Sequence, residues 1–130
     1  MVIDSSAVLA ILLQEPDAPL FAAAIEAEPA PLISAATVVE AGVVLLARHS
    51  AAAREDLADF LSESGVQVEP VSREQAELAL DAFQRYGKGR GHPAQLNFGD
   101  CFSYALAKAT AEPLLFKGDH FSRTDVSAVF

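Results

Sequence analysis

Short apolar runs alternate along the chain with longer stretches in which apolar residues recur every three or four positions. Val2-Ile3 is an apolar pair closed by Asp4 and reads as a strand. Ala7, Val8, Ile11 and Leu12 then recur at helical spacing, with Ser5-Ser6 as a natural N-cap and Pro16 as the stop. Ala18 to Glu28 is Ala-rich with Leu20, Phe21, Ala24 and Ile25 on one face, which predicts a second helix before Pro29 and Pro31. Leu32-Ile33 predicts a short buried strand, and Ser34 opens a third helix over about Ala35 to Arg48. That helix is apolar nearly all round, so it is expected to be buried. Ala51 to Ser64 is amphipathic with Leu57, Phe60 and Leu61 inward, and Gly65 is a C-cap signal. Val66 to Glu69 alternates as a half-buried strand. Ser72 caps a helix running to about Tyr86, and a loop spans Gly87 to Asn97. Phe98 to Ala109 is helical, Pro113 to Phe116 is a last buried strand, and a polar turn follows.

Strands that are short, apolar and separated by helices imply an α/β fold: a central, mostly parallel sheet of four to five strands with helices on both faces. Nothing in the pattern marks an internal repeat or a linker, so residues 1–130 are read as one domain. In open sheets of this type, sites lie at the C-terminal ends of the strands. That places Asp4 and the turn after Phe116 at the candidate active edge.

Composition narrows the class. Apolar residues make up 52% of the chain, enough for a packed core, yet no apolar run approaches the roughly 20 residues that cross a bilayer. The longest, Val38 to Ala47, is broken by Glu40. The start carries Asp4 and no basic n-region, unlike a signal peptide. One cysteine, Cys101, gives neither an intrachain disulfide nor a cysteine zinc site. No membrane and a cytoplasmic location are the expectation. The net charge of −9 disfavours a broad electrostatic nucleic-acid binder. It does not exclude a nuclease, because a cation can fill an acidic site and reverse its repulsion of phosphate.

Most acids have a solvated-face reading; four do not. Asp4 closes an apolar strand, where it either caps the next helix or faces a site. Glu40 interrupts Thr37-Val38-Val39-Glu40-Ala41-Gly42-Val43 and must be paired, protonated, metal-bound or exposed on a narrow polar stripe. Arg48 or Lys108 would be its partner in an ordinary ion pair. Asp100 lies in a helical first turn, where the helix dipole favours it, but its neighbours Phe98, Cys101 and Phe102 are apolar. Asp119 follows the last strand as a turn residue or a site residue. Hard oxygen donors with few His or Cys suit Mg²⁺ or Mn²⁺ rather than zinc.

The segments Val2-Ile3-Asp4-Ser5-Ser6-Ala7, Thr37-Val38-Val39-Glu40, Tyr86-Gly87-Lys88-Gly89-Arg90, Leu96-Asn97-Phe98-Gly99-Asp100-Cys101-Phe102-Ser103-Tyr104, and Leu114-Leu115-Phe116-Lys117-Gly118 with Phe121-Ser122-Arg123-Thr124-Asp125 together resemble the PIN-domain ribonuclease toxins called VapC. The resemblance covers essentially the whole chain, and the Asn97 to Lys108 block is its most specific part. It implies a PIN-like fold and a Mg²⁺- or Mn²⁺-dependent endoribonuclease. It also implies a homodimer in a type II toxin–antitoxin pair, with a VapB-type antitoxin and RNA as partners. The three best-defined acids of the family match Asp4, Glu40 and Asp100, with Asp4 and Asp100 as metal ligands. Many relatives carry a fourth acid directly before the Phe of the last motif, and that slot here is His120. Asp119 takes over the role, or His120 reaches metal or substrate, or the site uses three acids; Asp125 is a further candidate.

Further residues have two readings each. Ser6 hydrogen-bonds a metal water or the scissile phosphate, or it simply caps the helix. Arg85, Lys88, Arg90 and His92 form the single basic cluster, an arm for RNA phosphates with Tyr86 as a stacking ring, or a solvated glycine loop. Cys101 reads as a small core residue, since a neighbouring carboxylate raises a thiol pKa. His49 belongs at a helix C-terminus. Val8, Leu9, Leu12, Leu13, Leu20 and Phe21 on the first two helices exceed what one core absorbs, which leaves surface for a partner. A PIN-like module that binds RNA or a partner without cutting is the alternative function. A phosphohydrolase with an Asp4 nucleophile is weaker, because no second acid stands two residues on.

Overall fold

A computed structural model describes residues 1–130. Four short strands form one sheet: β1 (Val2–Ile3), β2 (Leu32–Ser34), β3 (Gln67–Glu69) and β4 (Leu114–Leu115). Six helices connect them: α1 (Ser5–Leu12), α2 (Ala18–Glu26), α3 (Ala35–Arg48), α4 (Ala51–Glu63), α5 (Arg73–Tyr86) and α6 (Phe98–Thr110). The strand order is β3-β2-β1-β4 and every pairing is parallel, with Val2 opposite both Leu32 and Leu114.

Because side chains alternate across a strand, neighbouring residues feed opposite cores. Ile3, Ile33 and Leu115 pack with Val8, Phe21, Ile25, Leu45 and Leu57 on the α1–α4 face. Val2 and Leu114 pack with Ala82, Leu96, Leu106 and Phe121 on the α5–α6 face. Helices therefore cover both faces, and four strands suffice for the sheet.

Two expectations are corrected. Helix α3 is not buried all round: Val39, Val43 and Leu46 are exposed, leaving an apolar ridge along one side. The first two helices leave less spare apolar surface than expected. Val8 and Phe21 are buried, and Leu9, Leu12 and Leu13 pack against the core, so of that group Leu20 alone stays exposed. The other exposed apolar patch is on α5 and α6, where Leu80, Phe83 and Phe98 face outward around Phe102.

The sheet order reverses beside β1: the chain moves from β1 to β2 and β3 on one side and returns to β4 on the other. A crevice opens at such a switch, beyond the strand ends. Asp4 stands there, its backbone N–H donating 2.9 Å to the carbonyl of Leu115.

Candidate active site

Three acids from three elements meet at this crevice: Asp4 at the end of β1, Glu40 in the second turn of α3, and Asp100 in the first turn of α6. Each is held by small polar neighbours. Asp4 is 2% exposed. Its Oδ1 accepts from Ser103 Oγ at 2.6 Å, and its Oδ2 accepts from the backbone N–H and the hydroxyl of Ser6 at 3.0 and 2.6 Å. Asp4 is thus the N-cap of α1, a place expected for Ser5-Ser6, and a site-facing carboxylate as well. Ser103 Oγ also lies 3.2 Å from Thr37 Oγ1, both fully buried, which ties α6 to α3 under the site.

Ser5 donates to Glu40 Oε1. Glu40 makes no ion pair: Arg48 stands apart, and Lys108 binds Asp125 at 3.2 Å instead. On its other side Glu40 lies against Gly99 so closely that a Cβ there would overlap the carboxylate. Asp100 forms a capping box with Asn97: Asp100 N–H donates 2.8 Å to Asn97 Oδ1, and Asn97 N–H donates 2.9 Å to Asp100 Oδ2. That box starts α6 and fixes the carboxylate toward the crevice.

Burial pushes the Glu40 carboxyl above its ordinary value, and the charges of Asp4 and Asp100 add to the rise against the bond from Ser5. Burial likewise raises Asp100, aided by Asp4 and opposed by the Asn97 N–H and His120. Acids raised in the fold cost stability once ionised. The penalty is absent below the ordinary carboxylate range near pH ~4 and grows as pH rises through the elevated values. A divalent cation would relieve it. At neutral pH, a cation at about 100 times its Kd should raise Tm by on the order of 10 °C. The rise should shrink toward pH ~4, where protons compete for the same oxygens, and thermal melts with and without Mg²⁺ or Mn²⁺ across this range measure it.

The donor set suits a hard cation: carboxylate oxygens, excess negative charge and no Lys or Arg to neutralise it. As they lie, no trio of His, Cys, Asp or Glu closes into a ready-made ion cage. Mg²⁺ does not require one, since it keeps several waters and is commonly held by one or two carboxylates plus substrate phosphate oxygens.

The remaining candidates divide. Ser6 Oγ donates to Asp4 and accepts the backbone N–H of Lys117 at 2.9 Å, so it bridges the ends of β1 and β4. His120 Nδ1 lies 2.9 Å from Asp100 Oδ2, whereas Asp119 is exposed and its carboxylate holds no hydrogen bond. Asp125 is occupied elsewhere. It accepts from Tyr104 Oη at 2.6 Å and pairs with Lys108 and, at 3.6 Å, with Arg85, so its carboxyl is pulled below the ordinary range. Arg85 is thereby anchored to the C-terminal segment, and its guanidinium stacks 4.6 Å from the Tyr86 ring centroid. Tyr86 itself is buried against Tyr104 and His92 and offers no ring to a base. Lys88 and Arg90 are exposed and free of acids, on a loop pinned by the Gly87–Leu96 bridge. Cys101 is buried and its thiol is pushed up to about 11 by burial and by Asp100, which keeps it inert. His49 ends α3 as its C-cap.

Sequence reasoning passed over Ser5, Thr37, Ser103 and Gly99. Three of them carried a legible signal. Thr37 precedes Glu40 by three residues and Ser103 follows Asp100 by three, which on a helix is the same face. Gly99 is a glycine inside an otherwise helical run, a mark of close approach.

Residues 1–127 match the family model described as PIN domain. A Mycolicibacterium smegmatis protein named Ribonuclease VapC is 47% identical over 129 residues, covering 99% of each chain. Ribonuclease VapC30 of Mycobacterium tuberculosis is 46% identical over 129 residues, covering 99% of this chain and 98% of its own. Among solved structures, Mycobacterium tuberculosis VapC20, described as a sarcin-ricin loop cleaving toxin, superposes with a TM-score of 0.80 at 18% identity, covering 98% of this chain and 97% of that one. FitAcB from Neisseria gonorrhoeae superposes at 0.70 and 18%, covering 98% and 94%. At such identity these two show a shared fold.

Proposed function

We propose, from the premise that this chain belongs to the PIN-domain family and to its VapC ribonucleases, that it is a metal-dependent endoribonuclease and the toxin of a type II toxin–antitoxin pair. The observation that carries the reading is the convergence of Asp4, Glu40 and Asp100 with no basic partner.

In this reading Asp4 and Asp100 hold Mg²⁺ or Mn²⁺, with Glu40 beside them. Such a cation, when bound, polarises a phosphoryl oxygen and lowers the pKa of a bound water. The protein's own contribution is preorganisation. Ser103 and Ser6 fix the Asp4 carboxylate, Ser5 fixes Glu40, and the capping box fixes Asp100, so three like charges are kept together that would otherwise turn to solvent. Lys88 and Arg90 are free to neutralise flanking RNA phosphates. Arg85 is committed to Asp125 and supports the fold. The test is cleavage of single-stranded RNA by the purified protein. Cutting should require Mg²⁺ or Mn²⁺, stop with EDTA and resume on replenishment. RNA binding without cutting at any metal concentration would favour a non-cleaving PIN-like module instead.

Two partners fit the two apolar patches. A second copy suits the α5–α6 face, where Leu80, Phe83 and Phe98 form a surface with no polar lining. An antitoxin segment suits the groove between α3 and α4, because its exposed ridge of Val39, Val43 and Leu46 lies on the helix that carries Glu40. A basic side chain at the end of that segment would reach the acids and replace the cation's charge.

A further inference from the structure

Two hydroxyls are buried beneath the acid pocket, Thr37 on α3 at 1% exposure and Ser103 on α6 at 0%. Ser103 Oγ donates to Asp4 Oδ1 at 2.6 Å, and Thr37 Oγ1 lies 3.2 Å from Ser103 Oγ with no other partner. A buried serine inside a helix commonly turns its hydroxyl back to the carbonyl four residues earlier. Thr110, a threonine on the same helix, makes that turn and donates to the carbonyl of Leu106 at 2.7 Å. Ser103 does not: its hydroxyl points across to Asp4. Each hydroxyl has one proton to give. The proton that Ser103 gives to Asp4 is not available to Thr37, so in the 3.2 Å contact Thr37 donates and Ser103 accepts. The charge on Asp4 therefore sets the direction of both bonds.

Resting on the reading of the pocket as a cation site, we propose that Thr37 and Ser103 form a one-way hydroxyl relay, Thr37 to Ser103 to Asp4, that holds Asp4 as a cation-binding carboxylate. Thr37 is a positioning residue: from its buried place it touches neither ion nor RNA and acts through Ser103. A carboxylate has about four acceptor positions. Three are taken on Asp4, two on Oδ2 by the N–H and hydroxyl of Ser6 and one on Oδ1 by Ser103. The position left is on Oδ1, so the relay fixes the very oxygen that is free to take an ion. What it brings to Asp4 is oriented dipoles and no net charge. A lysine or arginine in its place would bind the carboxylate more strongly, and would also repel the cation. Hydrogen bonds in such a chain polarise one another and strengthen where water is excluded. The pair also spans the site, because Thr37 lies three residues before Glu40 and Ser103 three after Asp100.

The probe is Mn²⁺ itself, followed by titration calorimetry. Affinity should fall roughly 3- to 10-fold in Thr37→Val, about what one hydrogen bond contributes, and should return to the wild-type value in Thr37→Ser. Ser103→Ala, which removes the bond to Asp4 itself, should weaken binding roughly 10- to 100-fold. Adding Thr37→Val to Ser103→Ala should weaken it no further, because Thr37 reaches Asp4 only through Ser103. A merely structural role would lower Tm in metal-free buffer and leave the Mn²⁺ affinity of the folded variants unchanged. Circular dichroism and Tm establish folding, and Thr37→Ala replaces Thr37→Val should the latter not fold. Failure of both to fold while Thr37→Ser folds would mark Thr37 as structural and overturn the relay. Mn²⁺ bound as tightly by Thr37→Val as by wild type, or losses that add in the double variant, likewise overturn the relay alone, provided Asp4→Asn still weakens binding. Absence of Mn²⁺ binding, or binding indifferent to Asp4→Asn, overturns the cation site and this inference together.

Discussion

Asp100→Asn should leave a folded protein whose RNA cleavage falls below about one hundredth of the wild-type rate, beyond the loss seen when a metal ligand's supporting partner is removed. The substitution keeps size and one acceptor oxygen, so the Asn97 N–H still finds its partner and α6 still starts at Phe98. What it removes is the negative charge that holds a hard cation. Two effects on stability oppose each other. Losing a charge at a helix N-terminus costs about 0.3–1 kcal/mol. Losing an acid whose carboxyl is raised by burial removes a penalty at neutral pH. Tm in metal-free buffer should therefore stay within a few degrees of wild type, while the rise in Tm on adding Mg²⁺ or Mn²⁺ disappears. Undiminished cleavage by the folded variant would take Asp100 out of the chemistry.

Gly99→Ala should be the second large effect, and it separates activity from stability more sharply. Alanine is the better helix former by about 1 kcal/mol, so on propensity alone the change is favourable. The added Cβ, however, occupies the space of the Glu40 carboxylate, with Oε1 also within 2.9 Å. What must yield is the end of a flexible side chain, which swings out at little cost to the fold. The expected result is a protein at least as stable as wild type that cleaves as poorly as Glu40→Gln. Gly99→Ala that is active with Glu40 in place would show that α6 shifts to accommodate the methyl. Loss of folding would show instead that the α3–α6 contact bears more of the stability than the carboxylate alone suggests.

Much of this architecture could be read from periodicity. The helices beginning at Ala35, Ala51, Arg73 and Phe98 start where Ser34, Ser50, Ser72 and Asn97 can cap them, and all four do so. Residue patterns also singled out Asp4, Glu40 and Asp100, because a charge in an apolar setting demands an explanation. Three features were not legible in the same way. The exposed ridge of α3 is apolar on a free face, and apolar residues alone do not reveal which face meets the core. Tyr86 sits beside glycines and basic residues, but its ring turns inward because α5 packs on α6 through that position. Arg85 belongs to the same cluster in sequence, yet its partner, Asp125, is 40 residues away and is brought to it by the fold after β4.

The hydroxyl of Ser6 joins the first strand's exit to Lys117, and that of Ser103 braces Asp4 from the far end of the chain, spans of 111 and 99 residues. The surroundings of Asp4 are consequently completed only once both α6 and β4 have been made and have packed beside β1. At about 5–20 residues per second, a ribosome takes on the order of 5–20 s to bring Ser103 out after Asp4, so the two can meet only late in synthesis. Truncation upstream of β4 removes the parallel partner of β1 and the Lys117 N–H that Ser6 accepts, while Ser103 still reaches Asp4 only if α6 is retained.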